Sequence, residues 1–133
     1  GRSILKGGVR YLGGTDETYG NINASDSLAA IKKVVFDEGR YTLREVVDAT
    51  NANFEGYEAL RHDLLAAPKY GNDDDYADDI AVRLHEFICR TVRKTGEEVG
   101  FHNYGTVLIN NQVNTEWGRK TGASPDGRLC GCS

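Results

Sequence analysis

Residues 73–94 constrain the fold more than any other stretch. Asp73, Asp74 and Asp75 follow a Lys-Tyr-Gly-Asn turn and precede an apolar line of Ile80, Val82, Leu84, Phe87, Ile88 and Val92, spaced for one side of a long helix. Carboxylates at a helix start accept hydrogen bonds from its unpaired N–H groups and complement its dipole, and Arg90, Arg93 and Lys94 stand at the far end, where the dipole favours cations. A helix this long and one-sided needs a layer on which to bury its apolar face. The same acidic run invites comparison with a calcium loop, which needs Gly at its sixth position and a bidentate Glu at its twelfth. Counted from Asp73, those positions hold Asp78 and Leu84, so the run reads as a helix start.

The segments before it are punctuated in the same way. Ser25 or Asp26 can cap a helix over residues 27–39, where Leu28, Ile31, Val34 and Val35 form a stripe and Gly39 supplies the stop. Thr42 with Glu45 three residues on is a capping box, opening a helix that carries Leu43, Val46, Val47, Ala49, Ala52 and Phe54 toward Gly56. A third helix runs over residues 57–67 with Leu60, Leu64 and Leu65 apolar, and Pro68 forces its end. The first 24 residues, rich in Gly and turn formers, read as extended loop. Beyond Gly100 the uncharged run Thr106–Asn110 suits a strand buried on both faces of a parallel sheet or barrel, and residues 121–128, TGASPDGR, make a strong turn.

Composition narrows the function classes. With 133 residues, 39% of them apolar, and a net charge of −4, the chain can build one domain with a real core. No apolar run is long enough for a membrane span and the N-terminus has no signal-peptide core, so a cytoplasmic location is expected. The mildly acidic balance, 20 Asp and Glu against 16 Lys and Arg without a basic stripe, argues against a nucleic-acid module. Cys89, Cys130 and Cys132 lack the spacing of a disulfide framework, which fits a reducing compartment, and Cys89 reads as core. The absence of Met even at position 1 and the abrupt Gly-Cys-Ser end lead us to expect a piece of a longer polypeptide.

The residues that could carry chemistry are sparse. His85 and Cys89 occupy the two ligand positions of a zinc-protease helix, but the second His is replaced and no third ligand follows. His62 and His102 have no nucleophile near them in sequence. Cys130-Gly131-Cys132 is neither a C-x-x-C redox pair nor matched by a second pair, and the glycine pairs at 7–8 and 13–14 do not form a phosphate-binding fingerprint. From the residues alone no catalytic residue, metal ligand or cofactor-binding residue is assigned.

Four segments together carry a resemblance: DSLAAIKK at 26–33, NFEGYEALR at 53–61, APKYGNDDDYAD at 67–78 and TGASPDGR at 121–128. In content, order and separation they resemble the glycyl radical enzymes, the pyruvate formate-lyase superfamily with its glycerol and choline lyases and its hydroxyproline dehydratase. The resemblance implies an α/β fold in which residues 1–133 form a single segment, a mostly helical outer layer plus one barrel strand, of a ten-stranded α/β barrel. The family's thiyl Cys motif, Gly-Cys-x-Glu, and its glycyl radical motif, Arg-Val-x-Gly-Tyr, do not occur in this sequence, which corresponds to the stretch between those two loops. None of the three cysteines can inherit the thiyl role.

Aligning the TG of the turn with Thr121-Gly122 places Ile109 and Asn111 on the cavity-lining side of the barrel strand, which makes them the expected substrate contacts. The formate-lyase type is apolar at both positions. Asn111 can donate and accept, which suits a hydroxylated or amino substrate and tilts the reading toward a dehydratase or lyase. The parent enzyme is then expected to be an anaerobic homodimer that cleaves a C–C, C–O or C–N bond of a small molecule by hydrogen abstraction, with its radical installed by a radical-SAM activating enzyme and no other cofactor bound. The alternative is a non-catalytic structural or partner-binding chain of the same fold. In either case the acidic run at 73–75 is a structural signature. Replacing Asp73 and Asp74 with Ala is expected to cost about 1 kcal/mol in chemical denaturation and to leave substrate affinity unchanged; lost affinity at full stability would overturn this.

Overall fold

The computed structural model describes residues 1–132. Its organising element is a pair of parallel strands, β1 (Gly13–Thr18) and β2 (Asn103–Leu108), in register from Gly13 opposite Asn103 to Thr18 opposite Leu108. Parallel strands cannot be joined by a hairpin, so everything between them is one crossover connection. That connection consists of α1 (Asn21–Ile31), a π-helical extension of it over Lys32–Asp37, α2 (Leu43–Asn51), α3 (Glu58–Ala66) and α4 (Asp75–Glu98). A short α5 (Val113–Gly118) follows β2.

Helices cover one face of the sheet. Gly96 of α4 lies so near Tyr104 that a Cβ built on it would meet the Tyr104 Cβ at 2.4 Å, and Leu108 shares a cavity wall with Ala81, Leu84 and His85. Tyr104, Thr106 and Leu108 therefore face α4, and by the two-residue period of a strand Asn103, Gly105 and Val107 face away. Beside this layer the core gathers Ala30 and Val34, Val46 and Ala49 of α2, Phe54, and Leu60 and Leu64 of α3.

Several sequence expectations hold and several are corrected. The capping box forms, with the Glu45 N–H donating to Thr42 Oγ1 and the Thr42 N–H to Glu45 Oε2. The third helix stops at Ala66, where Ala67 is extended before Pro68. The first 24 residues are not loop throughout, because β1 lies within them. Its sequence, GGTDET, has little strand character of its own and is held by its distant partner.

The first long helix starts at Asn21 behind a left-handed Gly20, so neither Ser25 nor Asp26 is its cap. Ser25 is instead buried inside the helix and donates to the Ile22 carbonyl, while Asp26 accepts from the Tyr70 N–H. The second strand begins at Asn103 and ends at Leu108, earlier than the apolar run suggests. Within this segment it is not buried on both faces, since Val107 is 38% and Leu108 50% exposed and, among the described residues, it has one neighbouring strand and helices on one side only. On α4 the deepest residues are Ala77, Ala81 and Gly96, because close approach of α1 and β2 favours small side chains, while Val82 and Phe87 stay exposed.

The Lys-Tyr-Gly-Asn-Asp-Asp-Asp-Tyr run, residues 69–76, is a junction where Lys69, Asn72, Asp74 and Tyr76 all spend side-chain groups on structure. Lys69 Nζ donates to the Leu64 and Ala67 carbonyls at 2.7 and 2.9 Å, closing α3, and burial holds its pKa below the ordinary value. The Gly71 N–H donates to Asp78 Oδ1 at 2.9 Å, and Asp74 caps α4 by accepting from the Tyr76 N–H at 3.0 Å. Tyr76 then donates its hydroxyl to Asp37 at 2.7 Å under the ammonium of Lys32, 4.4 Å above its ring, tying α4 to the π segment. Among the described residues no helix is long and apolar enough to cross a membrane.

Two tests follow from the packing. Gly96→Ala would normally help a helix by about 1 kcal/mol. Here the clash with Tyr104 makes it destabilising by about 1–3 kcal/mol, read as a lowered denaturation midpoint. Asp63 accepts from Tyr41 Oη at 2.5 Å and from the Arg40 guanidinium, and these bonds, Tyr41 first, hold its carboxyl below its ordinary 3.8. A depressed folded pKa stabilises fully above the unfolded value and is lost as pH falls through the folded one. The stability gap between the wild type and Asp63→Asn is therefore expected to be constant at neutral pH and to close below about pH 4.

Candidate functional site

Parallel strands in α/β folds end together and leave a crevice at their carboxyl ends, the usual place for a ligand. Here those ends are Thr18 and Leu108, followed by the Tyr19-Gly20 link into α1 and the Ile109–Gln112 link into α5. Over them opens a cleft of about 430 Å³, with Tyr19, Asn23, Asn114, Trp117, Ser124 and Arg128 among its walls. Tyr19 and Trp117 meet edge to face, ring centres 4.3 Å apart.

The floor is the turn at 121–128. Asp126, only 8% exposed, accepts from Ser124 Oγ at 2.6 Å and from the Arg128 N–H at 3.2 Å through one oxygen, and from Asn23 Nδ2 at 2.9 Å through the other. Arg128 donates from Nε to Ser124 Oγ and from its terminal nitrogens to the carbonyls of Gly118, Gly122 and Cys132. Gly127 sits at φ 94°, and an added Cβ would strike the Leu65 side chain at 2.6 Å, so the turn needs glycine twice over. Arg61 Nε donates to the Gly127 carbonyl at 2.9 Å and the Cys130 N–H to Asn53 Oδ1 at 2.7 Å, which anchors the turn to the helical core.

The two expected substrate contacts lie at this end of the sheet without lining the cleft. Ile109 is half-buried and extends the ladder by one bond, its N–H donating to the Thr18 carbonyl at 3.1 Å. By strand parity it continues the face turned away from α4. Asn111 is exposed beyond the end of β2, and its Oδ1 accepts from the Val113 N–H at 3.0 Å at the start of α5.

Asn23, Trp117 and Asp126 went unnoticed in the sequence as cleft residues. The turn signature did indicate that Asp126 bonds its own backbone, but the reach from Asn23 to Asp126 spans most of the chain and leaves no local pattern. Cys89 Sγ is 3.4 Å from His85 Nε2 within α4, and Cys130 and Cys132 are exposed. Among the described residues no three His, Cys, Asp or Glu side chains cluster as a metal site.

Comparison with known proteins adds the family. The model of the family described as pyruvate formate lyase-like matches residues 1–116. An isethionate sulfite-lyase of Bilophila wadsworthia is 41% identical over 104 residues, covering 78% of this chain and 12% of that enzyme. The solved glycerol-bound form of the B12-independent glycerol dehydratase from Clostridium butyricum superimposes with a TM-score of 0.88 at 37% identity, over 98% of this chain and 16% of that one. A glycyl radical enzyme from Archaeoglobus fulgidus gives a TM-score of 0.79 at 34% identity, over 94% of this chain and 16% of that one. The chain thus spans less than a fifth of the length of these relatives, and across that length its parallel strands and crossover helices are a segment of their α/β fold. By family match, identity and fold together, the chain belongs to the pyruvate formate lyase-like family of glycyl radical enzymes.

Proposed function

We propose that this chain forms part of the substrate cavity of a glycyl radical dehydratase or lyase, an anaerobic cytoplasmic homodimer that cleaves a C–C, C–O or C–N bond by hydrogen abstraction. The observation that carries the reading is the uncovered face of β2 at its carboxyl end. Val107 and Ile109 lie on that face by parity, among the described residues no helix covers it, and Asn111 follows directly. In this reading the radical is installed by a radical-SAM activating enzyme in motifs that this sequence does not contain, and its three cysteines take no part. The role of these residues is to shape and orient. Ile109 packs against the substrate's carbon skeleton, and Asn111, whose Oδ1 is already spent on the Val113 N–H, offers its Nδ2 as a donor to a hydroxyl or carboxylate oxygen. A donor at this position favours an oxygenated substrate over a purely apolar one.

In the intact enzyme, anaerobic activation is expected to give an organic-radical EPR signal and turnover of at least one of glycerol, propane-1,2-diol, trans-4-hydroxy-L-proline and isethionate. Asn111→Ala should raise KM for that substrate about tenfold with a smaller change in kcat, the mark of a lost binding contact. An unchanged KM would remove Asn111 from the cavity.

A further inference from the structure

We propose that Cys130 and Cys132 form a redox-responsive dithiol, which closes to an intrachain disulfide across Gly131 by exchange with a small aliphatic disulfide and reopens with the matching thiol. The pair stands where the chain leaves the turn at 121–128, and of the three cysteines in the sequence only these two are exposed. Cys89 is half-buried within α4, beside His85. Thiol exchange needs access to the sulfur, which sets the pair apart from Cys89.

The backbone around the pair is held in one shape. The Cys132 N–H donates to the Leu129 carbonyl at 3.3 Å, closing a four-residue turn with Cys130 and Gly131 at its centre. Gly131 has φ 76°, the left-handed sense that a type II turn requires at its third position. Three further bonds tie the turn down: the Cys130 N–H donates to Asn53 Oδ1 at 2.7 Å, the Gly131 N–H to the Thr121 carbonyl at 3.1 Å, and Arg128 Nη1 to the Cys132 carbonyl. Residues two apart have Cα atoms no more than about 7 Å from one another even in an extended chain, and a turn between them brings them closer. A disulfide spans about 4.4–6.8 Å between Cα atoms, so the turn holds the two residues within bridging range.

The exchange balances in two steps. The thiolate of one cysteine attacks a sulfur of the small disulfide, forming a mixed disulfide and releasing one small thiolate, which takes up a proton. The thiolate of the other cysteine then attacks the protein sulfur of that mixed disulfide, forming the Cys130–Cys132 bond and releasing the second small thiolate. Two electrons pass from the pair to the small disulfide, and the two protons leave with the released thiols. So short a loop gains little from closure entropy and its ring is strained, which puts it among the labile disulfides that a thiol pool reopens. Nothing in this exchange uses a radical, Ile109 or Asn111, so it stands independently of the enzymatic reading.

The test incubates the full chain with oxidised glutathione and reads the intact mass and the cysteine-bearing peptides. The expected result is loss of two hydrogens, located at Cys130 and Cys132 and reversed by about a tenfold excess of reduced glutathione. Cys130→Ser and Cys132→Ser should each stop at the mixed disulfide, with a glutathionyl group retained on the remaining cysteine of the pair. Gly131→Ala has room for its Cβ, whose nearest neighbour is the Arg119 carbonyl oxygen at 3.7 Å, but an unfavourable φ. It should slow ring closure about tenfold by holding the thiols apart and leave glutathione uptake by the single-cysteine variants unchanged. A stable mixed disulfide in the wild type, disulfide-linked dimers in place of the internal ring, oxidation centred on Cys89, or closure at an unaltered rate in Gly131→Ala would each overturn the proposal.

Discussion

The parallel pairing of β1 with β2 is the constraint on which everything else rests. Its partners, Gly13 with Asn103 through Thr18 with Leu108, stand at opposite ends of the helical region, so closing the pair fixes the path of all the chain between. Loop-closure entropy makes such distant contacts costly to form first. The helices that meet that cost carry the strongest local signals, the Thr42–Glu45 capping box, the Asp74 cap and the Pro68 stop. Local order in these helices thus offsets the cost of closing the long-range strand pair.

Legibility in the sequence follows the same division. Helices α2, α3 and α4 could be read because their caps and stripes lie within a few residues of one another. β1 could not, because GGTDET has neither alternation nor β-branched density and becomes a strand only through a partner that local pattern cannot name. Ser25 misled for a related reason. A serine near a helix start is usually a cap, but Gly20 lets the helix begin a turn earlier, and the buried hydroxyl is satisfied by the Ile22 carbonyl within the helix. The candidate site was half legible. The turn at 121–128 announced its own shape, whereas its grip on Asn23, Asn53 and Arg61 is tertiary.

The two halves of the functional end use polar side chains differently. Around the turn, hydrogen-bonding capacity is consumed internally, with Asp126 and Arg128 both bound to backbone and neighbouring side chains. At the mouth of the cleft and past β2, the amides of Asn23 and Asn111 each have one end pinned by the protein and one end free. A half-pinned amide has a defined polarity, acceptor at Asn23 and donor at Asn111, without carrying charge.

The π-helical stretch at Lys32–Asp37 has a consequence for how this region can tolerate change. A π segment holds one residue more than the α-helical path it replaces, and here the Glu38 N–H reaches the Lys33 carbonyl across that extra residue. Deleting a single residue there would restore α-helical bonding locally and leave the elements on either side in nearly their present phase. The bulge therefore absorbs one extra residue within a continuous helix, which lets that stretch send Val34 into the core and still bring Asp37 to Tyr76.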